Sequence, residues 1–202
     1  MTFVTVLPSE GKGGDGVGQY KELIHFARPK YTYFVLAAAL IIIGVAMAYE
    51  TLLVNDWFYF TVGIFVFALF GALLLSLAIE QHYFFRKKIA DINSFGRGKA
   101  MLSDFNNAGR AFSGRLILGD EFVIAKRTGN ICYYGEITRI YQYIPENQII
   151  GERRYIKVDT AAKKGLMLCK IPSNGKGDNE LNNVIGFVTS KNPDIQVGFV
   201  GS

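Results

Sequence analysis

The sequence predicts a membrane α-helical hairpin followed by an α+β domain, a small antiparallel β-barrel or bent sheet capped by one C-terminal helix. Two uncharged apolar runs, residues 31–49 and 57–79, stand close together. Beyond Ala111 the hydrophobic period shifts towards two, with turn residues between the short runs. Further on, Leu181, Val184, Ile185 and Val188 form an apolar stripe at i, i+3, i+4 and i+7, the spacing of one helix face.

The apolar runs are 19 and 23 residues long. A hydrocarbon core about 30 Å thick takes roughly 20 residues of helix to cross, so each run is long enough. Neither contains Asp, Glu, Lys, Arg or His. Ionisable groups inside a membrane line ion and proton pathways, so their absence argues against a pump or coupled transporter. The connection, residues 50–56, is too short for the re-entrant helix and filter of a channel. Small residues recur at four-residue spacing, Gly44 and Ala48 on the first run and Ala68, Ala72 and Ser76 on the second. Such stripes let helices approach closely, and here they are expected to pack the two spans together.

Charge predicts the sidedness. The connection holds Glu50 and Asp56 and no base, while Arg28 and Lys30 precede the first run and Arg86, Lys87 and Lys88 follow the second. The positive-inside rule then makes this a multi-pass cell-membrane protein with both termini cytoplasmic and the connection outside. Tyr31, Tyr33, Trp57, Tyr59, Tyr83 and Phe84 fall near the span ends, where amphipathic rings prefer the headgroup level. The five bases are the candidate membrane-surface contacts, each worth about 1 kcal/mol beside anionic lipid. Ala46-Met47-Ala48 resembles a small-residue cleavage site, but 30 largely polar residues precede the run, where a secretory signal has a short basic leader.

Four regions follow. Residues 1–30 read as a flexible tail, glycine-dense between Gly11 and Gly18, and a short interfacial helix. Those glycines lack the preceding strand and the Gly-Lys-Ser/Thr ending of a phosphate-cradling loop. Residues 31–85 hold the two spans, and residues 86–110 form a juxtamembrane linker with one or two short helices. Residues 111–202 make the cytoplasmic domain. Strands are expected at 115–118, 122–126, 131–134, 138–144, 153–160 and 166–171, with a tight hairpin at Gly119-Asp120-Glu121. In the fifth strand Ile156 and Val158 alternate with Tyr155, Lys157 and Asp159, the pattern of a sheet with one wet face. Asp178 is placed to cap the helix and Pro193 to end it, and Ile195, Val197 and Phe199 suit a short last strand.

Leu116-Ile-Leu-Gly-Asp-Glu-Phe-Val-Ile-Ala125 and Ile131-Cys-Tyr-Tyr-Gly-Glu-Ile-Thr-Arg-Ile140 set a cadence of strand, turn, strand, strand. In that order of elements, over about residues 111–200, the chain resembles the pleckstrin-homology-like (PH-like) domains of bacterial membrane proteins. The resemblance implies a bent antiparallel sheet closed by a helix. Headgroup binding by eukaryotic members uses bases clustered at the first hairpin, and here that hairpin is acidic. Arg115, Lys126 and Arg127 do not reproduce the spacing, so the resemblance does not imply inositol-phosphate recognition.

Catalysis is not expected. The two histidines, His25 and His82, lie at the edges of the apolar part, leaving the domain without a His-based nucleophile system. Cys132 and Cys169 fall in expected strands and read as buried thiols in a reducing compartment, with no cofactor or metal framework. From Arg86 onward eighteen Lys and Arg face eleven Asp and Glu, a balance that would suit nucleic acid. Aromatics alternating within strands more often fill a core, and no nucleic-acid partner is expected. The expected function is a membrane-anchored, non-enzymatic module that binds protein or organises a membrane complex. Its partners are the lipid bilayer and a protein or a second copy of itself, met at a sheet edge or beside the last helix. The alternative is a small accessory subunit of a transporter or secretion complex, acting through its transmembrane helices.

Overall fold

A helical hairpin and a two-sheet β domain share one unbroken helix. The computed structural model describes residues 14–54, 57, 61, 63–145 and 153–201. The expected flexible tail up to residue 13 and the Asn55-Asp56 end of the connection lie outside them. Helix α1 is Gly14–Ala27 and α2 is Thr32–Val54; a π-helical segment, Gly63–Ala68, leads into α3, Leu69–Ser94, and α4 is Gly98–Asn107. Two helices, over Thr32–Glu50 and Phe65–Ser94, are long and apolar enough to cross a membrane.

Along α3 the buried residues are Gly71, Ala78, Phe85 and Ile92. A seven-residue interval is close to two helical turns, so these four share one face. The upper pair belongs to the helical hairpin: a Cβ on Gly71 would lie 2.8 Å from Ile41 Cγ1 and 3.3 Å from the Ala37 carbonyl oxygen of α2. The lower pair belongs to the core of the β domain. A single helix face thus changes partner from α2 to the domain without a break.

The first sheet runs β1-β2-β3-β4, with β1 at Gly109–Ala111, β2 at Leu116–Leu118, β3 at Phe122–Ala125 and β4 at Ile131–Tyr133. A 3-10 turn, Tyr134–Glu136, leads to β5 at Ile137–Ile144, then β6 at Arg154–Thr160 and β7 at Leu166–Ile171. Helix α5, Gly175–Lys191, precedes β8 at Gln196–Gly201. The second sheet is ordered β7-β6-β5-β8. Among the described residues the strands form two four-stranded sheets and not one closed barrel. Pairing is antiparallel except that β8 runs parallel to β5, with α5 among the elements that return the chain to that edge.

Two cores result. Between the sheets and α5, Leu116, Val123, Ile140, Ile156 and Leu168 pack with Leu181, Val184 and Val188. On the other face of the first sheet, Ile117, Ile124 and Ile131 stand in one cross-strand row. That row is covered by Leu23 and Ala27 of α1, Phe85 and Ile92 of α3, and Met101 and Phe105 of α4. Each large side chain so buried contributes about 1.5–3 kcal/mol. All of β3 is therefore buried, which an uninterrupted Phe-Val-Ile-Ala run requires of a strand covered on both faces.

The wet face expected from β6 is present there, since Ile156 and Val158 are buried while Tyr155, Lys157 and Asp159 are half-exposed. In the first sheet β2, β3 and β4 have none, and only the edge strand β1 is exposed, at Gly109 and Arg110. Helix α1, expected to be short and interfacial, begins at Gly14, so the end of the expected flexible tail, Gly14 to Gly18, is helical instead, and the helix serves as a cover for that sheet. Helix α5 starts a turn before Asp178: the Asn174 side chain caps it by accepting from the Gly177 amide at 2.9 Å. Gly175 and Gly177 are poor helix formers and hide that first turn from a reading of propensity. Asp178 instead pairs with Arg154.

Candidate functional site

A groove of about 820 Å³ lies between the β2–β3 hairpin, the 3-10 turn, the start of β5 and the segment joining α5 to β8. Its walls are set by polar contacts that tie distant parts of the chain together. The Asp104 carboxylate of α4 accepts from the amides of Asp120, Glu121 and Phe122, all at 2.9 Å, and so holds the hairpin tip. Tyr134 donates its hydroxyl to the Gly119 carbonyl at 3.1 Å, joining the 3-10 turn to the same hairpin. Asn192, which follows α5, donates to the carbonyls of Tyr134 at 3.1 Å and Ile137 at 3.3 Å. Lys191 Nζ closes one end on Asp120 Oδ1 at 2.8 Å.

Charges of both signs line the groove, with Asp120, Glu121, Asp159 and Asp194 against Arg139, Lys164 and Lys191. Burial, with the carboxylates of Asp104 and Asp120 close by, raises the pKa of Tyr134, so its phenol stays a neutral donor. Burial, followed by Asp159, also raises Tyr141, whose hydroxyl donates to Asp159 Oδ1 at 3.3 Å. Asp159 Oδ1 further accepts from the Gly165 amide at 2.7 Å. These groups are engaged in holding loops. Among the described residues no cluster of three or more His, Cys, Asp or Glu could hold a metal ion. What the groove offers is a shaped, polar surface of mixed charge.

Strand β8 borders it through Gln196. It is the last strand of its sheet, bonded to β5 on one side and to no other strand among the described residues on the other. Its sequence, Gln-Val-Gly-Phe-Val-Gly, has no charge and no proline. Val197 is 54% exposed. Gly198 lets the Arg139 side chain cross close by, since a Cβ there would lie 2.8 Å from Nη2. Arg139 in turn stands 5.0 Å over the Tyr141 ring. Edge strands usually carry a lysine, a proline or a bulge against further pairing, and this one lacks the first two.

The basic residues singled out in the sequence are spread over several contacts. Arg28 lies 4.7 Å over the Tyr31 ring, Lys88 pairs with Glu136, and Lys30, Arg86 and Lys87 are exposed. Lys87 and Lys88 line a cleft of about 410 Å³ beside the β6–β7 turn, where Lys163 stands 4.7 Å over the Phe84 ring. Glu80, Asp91 and Glu136 balance its three lysines. Of the small residues, Gly44 is buried and Ala48 half-buried, whereas Ala68, Ala72 and Ser76 are exposed. The α3 face turned to α2 carries Gly71 and Ala78. Four-residue spacing drifts off a helix face by some 40° per step, and seven-residue spacing stays on it.

The groove itself was missed as a constellation because its residues come from segments far apart in the chain. The signal available was Asn192-Pro193-Asp194, a turn sequence placed straight after a helix. No protein-family model matches the chain, and searches of curated proteins and of solved structures find no match.

Proposed function

We propose that the chain is a membrane-anchored, non-enzymatic module whose cytoplasmic β domain binds protein and organises a membrane complex. In this reading α2 and α3 cross the bilayer as a hairpin, with both termini on the cytoplasmic side. The acidic connection and the bases at the other span ends support that sidedness. The domain is PH-like in this reading, supported by a four-stranded meander, a three-stranded meander and a helix after the seventh strand. Strand β8 is an addition to that plan.

One observation carries the proposal: an uncharged edge strand, β8, borders a polar groove. A partner segment in extended form would add to β8 through main-chain hydrogen bonds and find charges of either sign in the groove. The test is co-purification of the full-length protein in mild detergent, comparing wild type with Val197→Lys. Loss of the partner at unchanged melting temperature is expected, because a lysine guards an edge against pairing. Equal recovery from both proteins would remove β8 as the contact.

The alternative, an accessory subunit acting through its helices, draws support from Ala68, Ala72 and Ser76, a small-residue stripe exposed among the described residues. In the same experiment that reading expects Ala72→Leu, and not Val197→Lys, to release the complex.

A further inference from the structure

A third cleft, of about 500 Å³, lies between α1, α4, β1 and the β3–β4 turn. It gathers Lys21, Arg110, Lys126 and Arg127 against one carboxylate, Glu22, with the His25 ring beside them. Among the described residues none of these four cations is in an ion pair. The walls are apolar: Phe26 and Phe105 meet edge to face at 5.6 Å, and Lys126 Nζ stands 5.7 Å over the Phe26 ring.

The place of this cleft in the fold is set by the backbone. The Arg127 amide donates to the Phe26 carbonyl and the Gly129 amide to the Ala27 carbonyl, both at 2.8 Å. The β3–β4 turn thus caps the last turn of α1, satisfying carbonyls that have no partner within the helix. Arg127 takes a left-handed φ of 57° to do so, a conformation unfavourable for a residue with a side chain. Helix α1 ends at Ala27 and α2 starts at Thr32, so the turn that carries two of the cations is tied directly beside the start of the apolar hairpin. Four like charges held together by three separate elements repel one another, and an anion between them offsets that repulsion. Phosphate oxygens accept several charge-assisted hydrogen bonds at once, and a glycerol stem suits phenyl walls.

We propose that this cleft binds the phosphate of an anionic phospholipid headgroup. The proposal rests on the membrane-anchored reading; the chemistry it needs, a phosphate ester, is shared with soluble phosphates, and the position beside the hairpin selects the lipid.

The experiment measures melting of the full-length protein in neutral-detergent micelles carrying phosphatidylglycerol, phosphatidylcholine, or no lipid with glycerol 3-phosphate at matched ionic strength. Phosphatidylglycerol is expected to raise the midpoint by roughly 5 °C, and the other two to leave it unchanged. Arg110→Gln with Lys126→Gln abolishes the rise, and with part of the repulsion relieved it melts without lipid no lower than wild type does. Lys170→Gln with Lys176→Gln, exposed and outside the cleft, retains it. An equal rise with glycerol 3-phosphate overturns the lipid assignment. No rise, or a rise kept by the first double variant, overturns the site. Extraction of the protein from membranes by carbonate would count against the anchoring alone, since the micelle measurement reads the cleft independently.

Discussion

Asp104 and Gly119 compete for one volume: a Cβ on residue 119 would lie 2.2 Å from Asp104 Cγ. The hairpin needs a residue without a side chain there so that the carboxylate can reach three amides beyond it. Asp104 is 6% exposed, and truncating it leaves those donors unpaired. Asp104→Ala is expected to cost about 3–5 kcal/mol in unfolding experiments, and Gly119→Ala a comparable amount. The two penalties should not add, because once the carboxylate is gone the Cβ has room. Full additivity in the double variant would sink the account.

The clasp between α1 and the β3–β4 turn predicts a local effect. Gly129 has a φ of +78°, and a Cβ there would lie 2.6 Å from Pro29 Cγ. Gly129→Ala should destabilise the protein by about 2 kcal/mol. More specifically, amide exchange in α1 should speed up while that in β6 is unchanged. Uniform acceleration across both would show that the turn is not a local fastening.

Helix packing separates the two faces of α3. Gly71→Leu drives a side chain into Ile41 and is expected to cost about 1–3 kcal/mol as overpacking. Ala72→Leu, on the exposed side, should stay within about 0.5 kcal/mol. Thermal unfolding of both in the same detergent decides the matter, and the reverse order would contradict the packing of α2 on α3.

Alkaline stability follows from two thiols. Burial pushes Cys132 and Cys169 from an ordinary 9.0 up to about 12. The fold therefore keeps protons that the unfolded chain releases above pH 9, so this stabilisation is complete below pH 9 and is lost as pH rises through 12. Melting midpoints between pH 9 and 12 should fall, and fall less for Cys132→Ala. Neither thiol should react with maleimide at pH 8 until the protein unfolds, because the thiolate is the nucleophile.

Much of the β domain is legible residue by residue. Strands β2 to β7 lie within about two residues of their expected positions, since alternation, turn glycines and short apolar runs all agree. Strand β1 is not legible: Gly109-Arg110-Ala111 has no strand signature and exists by pairing with β2. The candidate site fared differently. A groove beside the last helix was foreseeable in kind, but not its lining, because Asp120, Asp159 and Lys191 meet only after both sheets have formed.

Local chemistry alone determined that two segments are apolar enough to cross a membrane and that an amphipathic helix follows the strands, because length, charge and period act over a few turns of chain. Which face of α3 meets α2, why β3 is covered on both sides, and how four cations from three elements come to share one cleft were decided by the tertiary structure. These depend on contacts between residues far apart in sequence, where spacing carries no information and only complementary surfaces settle which groups become neighbours.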